Sequence, residues 1–122
     1  VAATVDPYLA ELFDPVGGVS MRRMFGGLGV FRDGLMIALV ADDVLYFKSD
    51  AETDPAFDAE GCEPFGYEAS GRRVTIGSFR RAPERVFDDP DAFRDMALAA
   101  AGAALRSGVK KPAGRGSRRA RR

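Results

Sequence analysis

Histidine is absent from all 122 residues. That removes the commonest general base, the commonest transition-metal ligand and every serine-histidine arrangement. Cys62 is the only cysteine, so neither an intrachain disulfide nor a cysteine-based zinc framework can form, and a reducing cytoplasm is the expected setting. Tryptophan is missing too. The longest apolar runs, Leu35 to Ala41 and Met96 to Leu105, fall short of the ~20 residues that cross a bilayer as a helix. The amino terminus, VAATVDPYLAEL, has no basic stretch leading into an apolar one, so no signal peptide is expected.

What is present is a core. Apolar residues make up 46% of the chain, with nine Phe and three Tyr, enough for one packed domain with a Phe-rich interior. A formal net charge of zero hides an asymmetry: residues 1–105 hold 10 basic and 18 acidic side chains, a net of −8, and residues 106–122 hold 8 basic and none acidic. The body should repel nucleic acid and the tail attract it or another polyanion.

Local patterns divide the chain further. Asp6 and Pro7 read as N-cap and first helical residue ahead of Leu9, Leu12, Phe13 and Val16, with Pro15 and Gly17-Gly18 ending the helix. From Ser20 to Ser49 the pattern is a meander of four strands, SMRRMF, LGVF, LMIALV and VLYFK, turned at Asp33-Gly34 and Asp42-Asp43. Leu35 to Val40 is apolar at alternate and intervening positions alike, which predicts a central strand covered by helices on one face and a partner subunit on the other. A short helix is expected over Asp54 to Ala59, stopped at Gly61. One or two strands follow around Ser70-Gly71, alternating through Val74, Ile76 and Ser78 until Pro83. The last helix starts at Asp89-Pro90 and takes Gly108 as its C-cap. The expected division is a domain over 1–108 and an unfolded basic tail over 109–122.

Candidate chemistry is sparse. Asp50, Glu52 and Asp54 imitate the start of a calcium loop, but Pro55 stands where that loop needs Gly and Gly61 where it needs Glu. GGLGVFRDG lies between strands and lacks dinucleotide-binding spacing. No catalytic residue, metal site or cofactor is expected, and Cys62 reads as a structural thiol between Glu60 and Glu63. Arg22-Arg23 and Arg72-Arg73 lie on strands, where neighbours point to opposite faces and each reads as a solvated edge. Lys110, Lys111, Arg115, Arg118, Arg119, Arg121 and Arg122 are the candidate nucleic-acid contacts.

MRRMFGGLGVFRDGLMIALVADDVLYFK, then PFGYEASGRR, then a strand ending before Pro83 and the Asp89-Pro90 helix, together resemble the TfoX (Sxy) amino-terminal domain family over about residues 18 to 105. The motif residues are Arg23, Met24, Phe25, Gly26, Gly27, Gly29, Lys48, Pro64, Phe65, Tyr67 and Pro83. Gly26, Gly27 and Gly29 read first as a folding requirement, since glycine lets backbones approach closely. The resemblance implies a two-layer α+β fold, an antiparallel sheet of five or six strands with N- and C-terminal helices packed on it, similar in outline to secretion chaperones. It also implies a homodimer without enzymatic activity, of the kind that regulates competence for transformation. The chain departs from the family in ending after the first domain, in carrying Ser78-Phe79 in place of an aromatic pair, and in Met96 where a large aromatic is common.

Three functions follow. The first is a cytoplasmic regulatory or adaptor domain acting on an unknown protein partner, its tail loosely attracting nucleic acid and no membrane involved. The second is a DNA-associated protein dominated by that tail. The third is a small-molecule-binding domain.

Overall fold

The computed structural model describes residues 7–24 and 27–110. Its first helix, α1 (Pro7–Phe13), gives way to a single 3-10 turn over Asp14–Val16. Pro15 removes an amide donor there, and Gly17 leaves the turn at a φ of 84°. Asp6, expected to cap this helix, lies outside the described residues.

Four strands follow in the expected places: β1 (Val19–Met24), β2 (Gly27–Arg32), β3 (Leu35–Ala41) and β4 (Val44–Lys48). Asp33-Gly34 and Asp42-Asp43 close their hairpins with positive φ at both central residues, the turn type whose twist matches that of paired strands. After α2 (Asp54–Ala59) come β5 (Pro64–Ala69) and β6 (Arg72–Arg81), joined at Ser70-Gly71 by a turn of the same kind. The sheet order is β1-β2-β3-β4-β6-β5, antiparallel throughout. A 3-10 turn (Glu84–Asp88) begins at Pro83 and leads to α3 (Pro90–Lys110).

The Asp89 carboxylate accepts the Ala92 amide at 3.1 Å, so this residue caps α3 as its sequence position predicts. Gly108 does not end the helix, which continues to Lys110. Its α-carbon instead faces Leu35, whose Cδ2 would lie 3.6 Å from an added Cβ, so packing against β3 outweighs glycine's low helix propensity.

Helices α1 and α3 cover one face of the sheet. Phe13, Phe47 and Phe93, from α1, β4 and α3, are buried and meet edge to face with ring centroids 4.9 to 6.2 Å apart. Ala97, Ala100, Ala103 and Ala104 let α3 lie close against the sheet and α1. The run from Leu35 to Val40 contains an irregularity that the sequence pattern does not show. The β2–β3 register slips between Val30 and Phe31, leaving Ile37 without a partner, and the successive residues Ile37 and Ala38 are both fully buried. A bulge accounts for part of that apolar run, and Met36 and Leu39 lie on the face away from the helices.

The expected alternation through Val74, Ile76 and Ser78 shows in β6, where these three are half-buried and Arg73, Thr75 and Gly77 exposed, but its pairing with β5 is irregular. Pro64 pairs with Arg80 but Phe65 pairs with Ile76, so the β5–β6 hairpin changes direction between its base and its tip. Only Phe79–Arg81 of β6 pair with β4.

Candidate functional site

The sheet face away from the helices has a regular composition fixed by register. One row across it reads Arg22, Gly29, Leu39, Tyr46, Arg81. The next carries Ser20, Phe31 and Met36 on β1 to β3, with Lys48 and Phe79 on β4 and β6. The Tyr46 ring meets Phe65 at 4.9 Å, and Phe65 lies 6.0 Å from Tyr67, which puts the β5–β6 hairpin on this same side.

Between that hairpin and strands β1 to β3 lies an apolar groove of about 670 Å³. Met24, Met36 and Leu39 form one wall, and Phe65, Tyr67 and Ile76 the other. The first set comes from one edge and the middle of the sheet, the second from the opposite edge. For both to line one space the sheet must curl, so this face is concave.

Its glycines have distinct duties. A Cβ on Gly27 would lie 2.2 Å from the Val40 carbonyl oxygen, so the neighbouring backbone excludes any side chain. At Gly29 the obstruction is side chains: Met24 Sδ at 2.6 Å, Phe31 at 2.9 Å and Met36 at 3.2 Å. Gly29 is the floor on which those three close.

Charges around the groove are unevenly satisfied. Arg22 lies over the Phe31 ring at 4.6 Å and Lys48 over the Phe79 ring at 5.2 Å. Neither has a carboxylate within ion-pair distance among the described residues. Arg80, Arg85, Arg94 and Arg106, by contrast, each hold one or two carboxylates. Asp42 lines the groove itself. Burial pushes the Tyr46 hydroxyl above its ordinary value, so it stays neutral at physiological pH.

A second cleft of about 900 Å³ lies where β4 and α3 end, lined in part by Lys48, Gly77, Ser78 and Leu105. The residues that could have held a cation there are already engaged. Asp50 and Glu52 hold Arg106, while Asp54 accepts the buried Ser49 hydroxyl at 2.6 Å and lies 3.5 Å from Arg80 Nε. Among the described residues no cluster of three potential metal ligands exists. Cys62 is 2% exposed, and burial raises its thiol, which disfavours the reactive thiolate. No helix among the described residues is long and apolar enough to cross a membrane.

Of the motif residues, the structure gathers Met24, Gly27, Phe65 and Tyr67 at the groove with Gly29 beneath Met24 and Met36. The others are dispersed. Arg23 is exposed on β1 opposite Leu28, Lys48 borders the second cleft, Pro64 opens β5 against Arg80, and Pro83 is buried ahead of the 3-10 turn. Phe25, Gly26 and the tail residues Lys111, Arg115, Arg118, Arg119, Arg121 and Arg122 lie outside the described residues. Lys110 is described only as the backbone end of α3. Sequence reasoning missed Met36, Leu39 and Ile76 as groove residues. Their signal was alternation within strands already identified, but only the curl of the sheet shows that they face one another.

A model described as the TfoX N-terminal domain matches residues 11–104. The chain is 36% identical over 64 residues to DNA transformation protein TfoX1 of Aliivibrio fischeri (strain ATCC 700601 / ES114), a stretch covering 52% of this chain and 31% of that protein.

Proposed function

Because the chain belongs to the TfoX N-terminal domain family, we propose that it is a non-enzymatic regulatory or adaptor domain, of the competence-regulator type, that acts in the cytoplasm through protein contacts. The observation that carries this reading is the concave apolar face opposite the helices, with Tyr67 still 44% exposed on its wall. Apolar surface left open in this way marks an interaction site more often than a catalytic one when no polar groups converge on it. The name of the Aliivibrio relative supports the link to transformation.

In the same reading the domain is a homodimer joined along α3, where Leu98 and Leu105 remain 40% and 59% exposed. A two-fold interface on the helix side leaves the groove free.

A strain carrying Tyr67→Glu tests the regulatory role. Its transformation frequency should fall to that of a deletion strain while the purified variant keeps its melting temperature. Wild-type frequency in that strain would overturn the proposal.

The basic tail supports a second reading, a DNA-associated protein. Seven basic residues from Lys110 onward predict a log-log salt slope of about −6 for binding to duplex DNA. Equal DNA affinity for the whole chain and for one ending at Val109 would remove the tail from the mechanism.

A further inference from the structure

We propose that the groove receives an acidic amphipathic helix from a partner protein, its apolar side chains seated between the Met24–Met36 wall and the Phe65–Tyr67 wall and its carboxylates paired with Arg22 and Lys48. This rests on the reading above that the groove is a protein-contact surface, and adds the occupant.

Shape gives the first argument. A concave face is filled by something that protrudes, and a second copy offering the same concave face would enclose a void. Side-chain chemistry gives the second. Met24 and Met36 are unbranched and polarizable, and methionine walls adapt to the apolar ridge of a helix. Charge gives the third. On this face the chain satisfies Arg81 with Glu63 but leaves Arg22 and Lys48 without a carboxylate among the described residues, as it does Arg23, Arg32 and Arg72 elsewhere. A body of net −8 that presents unpaired cations beside its open apolar face is complementary to an acidic partner. Asp42 lines the groove itself, so the carboxylates of the helix lie away from it, toward Arg22 and Lys48 on the same sheet face.

Single-stranded nucleic acid fits less well. Arg22 and Lys48 already cover the Phe31 and Phe79 rings on which bases would stack. Asp42, the charged residue lining the groove, repels phosphate.

The test uses the full chain and three fluorescent probes: a synthetic helix of about 18 residues with Leu at i, i+3, i+4 and i+7 and Glu elsewhere, the same helix with Lys for Glu, and an oligothymidine of similar length. By anisotropy the acidic helix should bind at least about tenfold tighter than the basic one, and the double variant Arg22→Glu/Lys48→Glu should reverse that order. Tyr67→Glu should abolish binding of both helices, whereas Arg94→Glu, on the helix side, should leave it unchanged.

Binding lost in Tyr67→Glu but indifferent to the double charge reversal overturns the acidic occupant and leaves the protein-contact reading standing. Unchanged peptide binding in Tyr67→Glu sinks that reading as well. Displacement of the acidic helix by oligothymidine, or no binding of that helix at about 1 mM, overturns the proposal. So does light scattering that shows Tyr67→Glu to dissociate a dimer, since a second copy would then occupy the groove.

Discussion

Arg106, near the end of α3, grips the carboxylate of Asp50 through two hydrogen bonds of 2.6 and 3.0 Å, joining residues 56 positions apart. Asp50 also accepts the amides of Glu52 and Thr53, at 3.0 and 3.3 Å. These interactions tie the last turns of α3 to the loop leading into α2.

The Arg106 guanidinium holds the Asp50 carboxyl down to about 2, from an ordinary 3.8. A lowered folded-state value means that the pair stabilises the native state above pH ~4 and loses its effect as pH falls from 4 toward 2. Asp50→Asn keeps an acceptor for the loop amides and should cost about 1 kcal/mol at neutral pH, and Asp50→Ala about 2 kcal/mol. Urea midpoints at pH 7 and pH 3 check this, since the gap between wild type and Asp50→Asn should narrow at the lower pH.

Substitutions at the two strand glycines separate two kinds of crowding. Gly27→Ala drives a methyl into the Val40 carbonyl and should destabilise by about 3 kcal/mol. Gly29→Ala meets the flexible Met24 thioether first, with a cost of about 1 kcal/mol. Thermal melts of the two variants should rank Gly27→Ala well below Gly29→Ala.

Arg80 is 11% exposed and fastens α2 to β6, donating to Asp58 at 2.8 Å and to the Cys62 carbonyl at 2.9 Å. Arg80→Met should retain the aliphatic packing but lose these bonds, at about 2 kcal/mol. Hydrogen exchange should show the loss concentrated in residues 54–62, with the α3 core amides less affected.

Cys62 lies behind that same contact. A thiol that is buried and raised should react with Ellman's reagent only when the α2 segment opens. Labelling of the wild type should be slow at pH 8, and Arg80→Met should speed it at least about tenfold, following the opening free energy. Equal rates in the two proteins would mean that Arg80 does not hold this segment closed.

Much of the fold is legible because its signals are local. Asp33-Gly34, Asp42-Asp43 and Ser70-Gly71 sit where paired positive φ angles are needed, and Asp89-Pro90 starts α3 as capping chemistry requires. Where the expectation failed, at Gly108, the deciding contact came from distant chain, Leu35 beneath α3, and distant chain also set the slipped pairing at Ile37 and the take-over of the end of β6 by β4. The candidate site was legible only in pieces. Phe65, Tyr67, Met24 and the glycines were singled out by family resemblance, whereas Arg22 read as a solvated edge.

The absence of histidine, the lone cysteine, the periodicity of each element and the turn residues are properties of short stretches or of composition, and the sequence by itself determined them. Whether Asp50 forms part of a cation site or an ion pair was decided by Arg106, which α3 brings from 56 residues away. Whether the outward sheet face is flat or grooved was decided by the curl that sets Phe65 and Tyr67 against Met24 and Met36. Strand twist and register add up over the whole sheet, and a single strand carries no record of that sum.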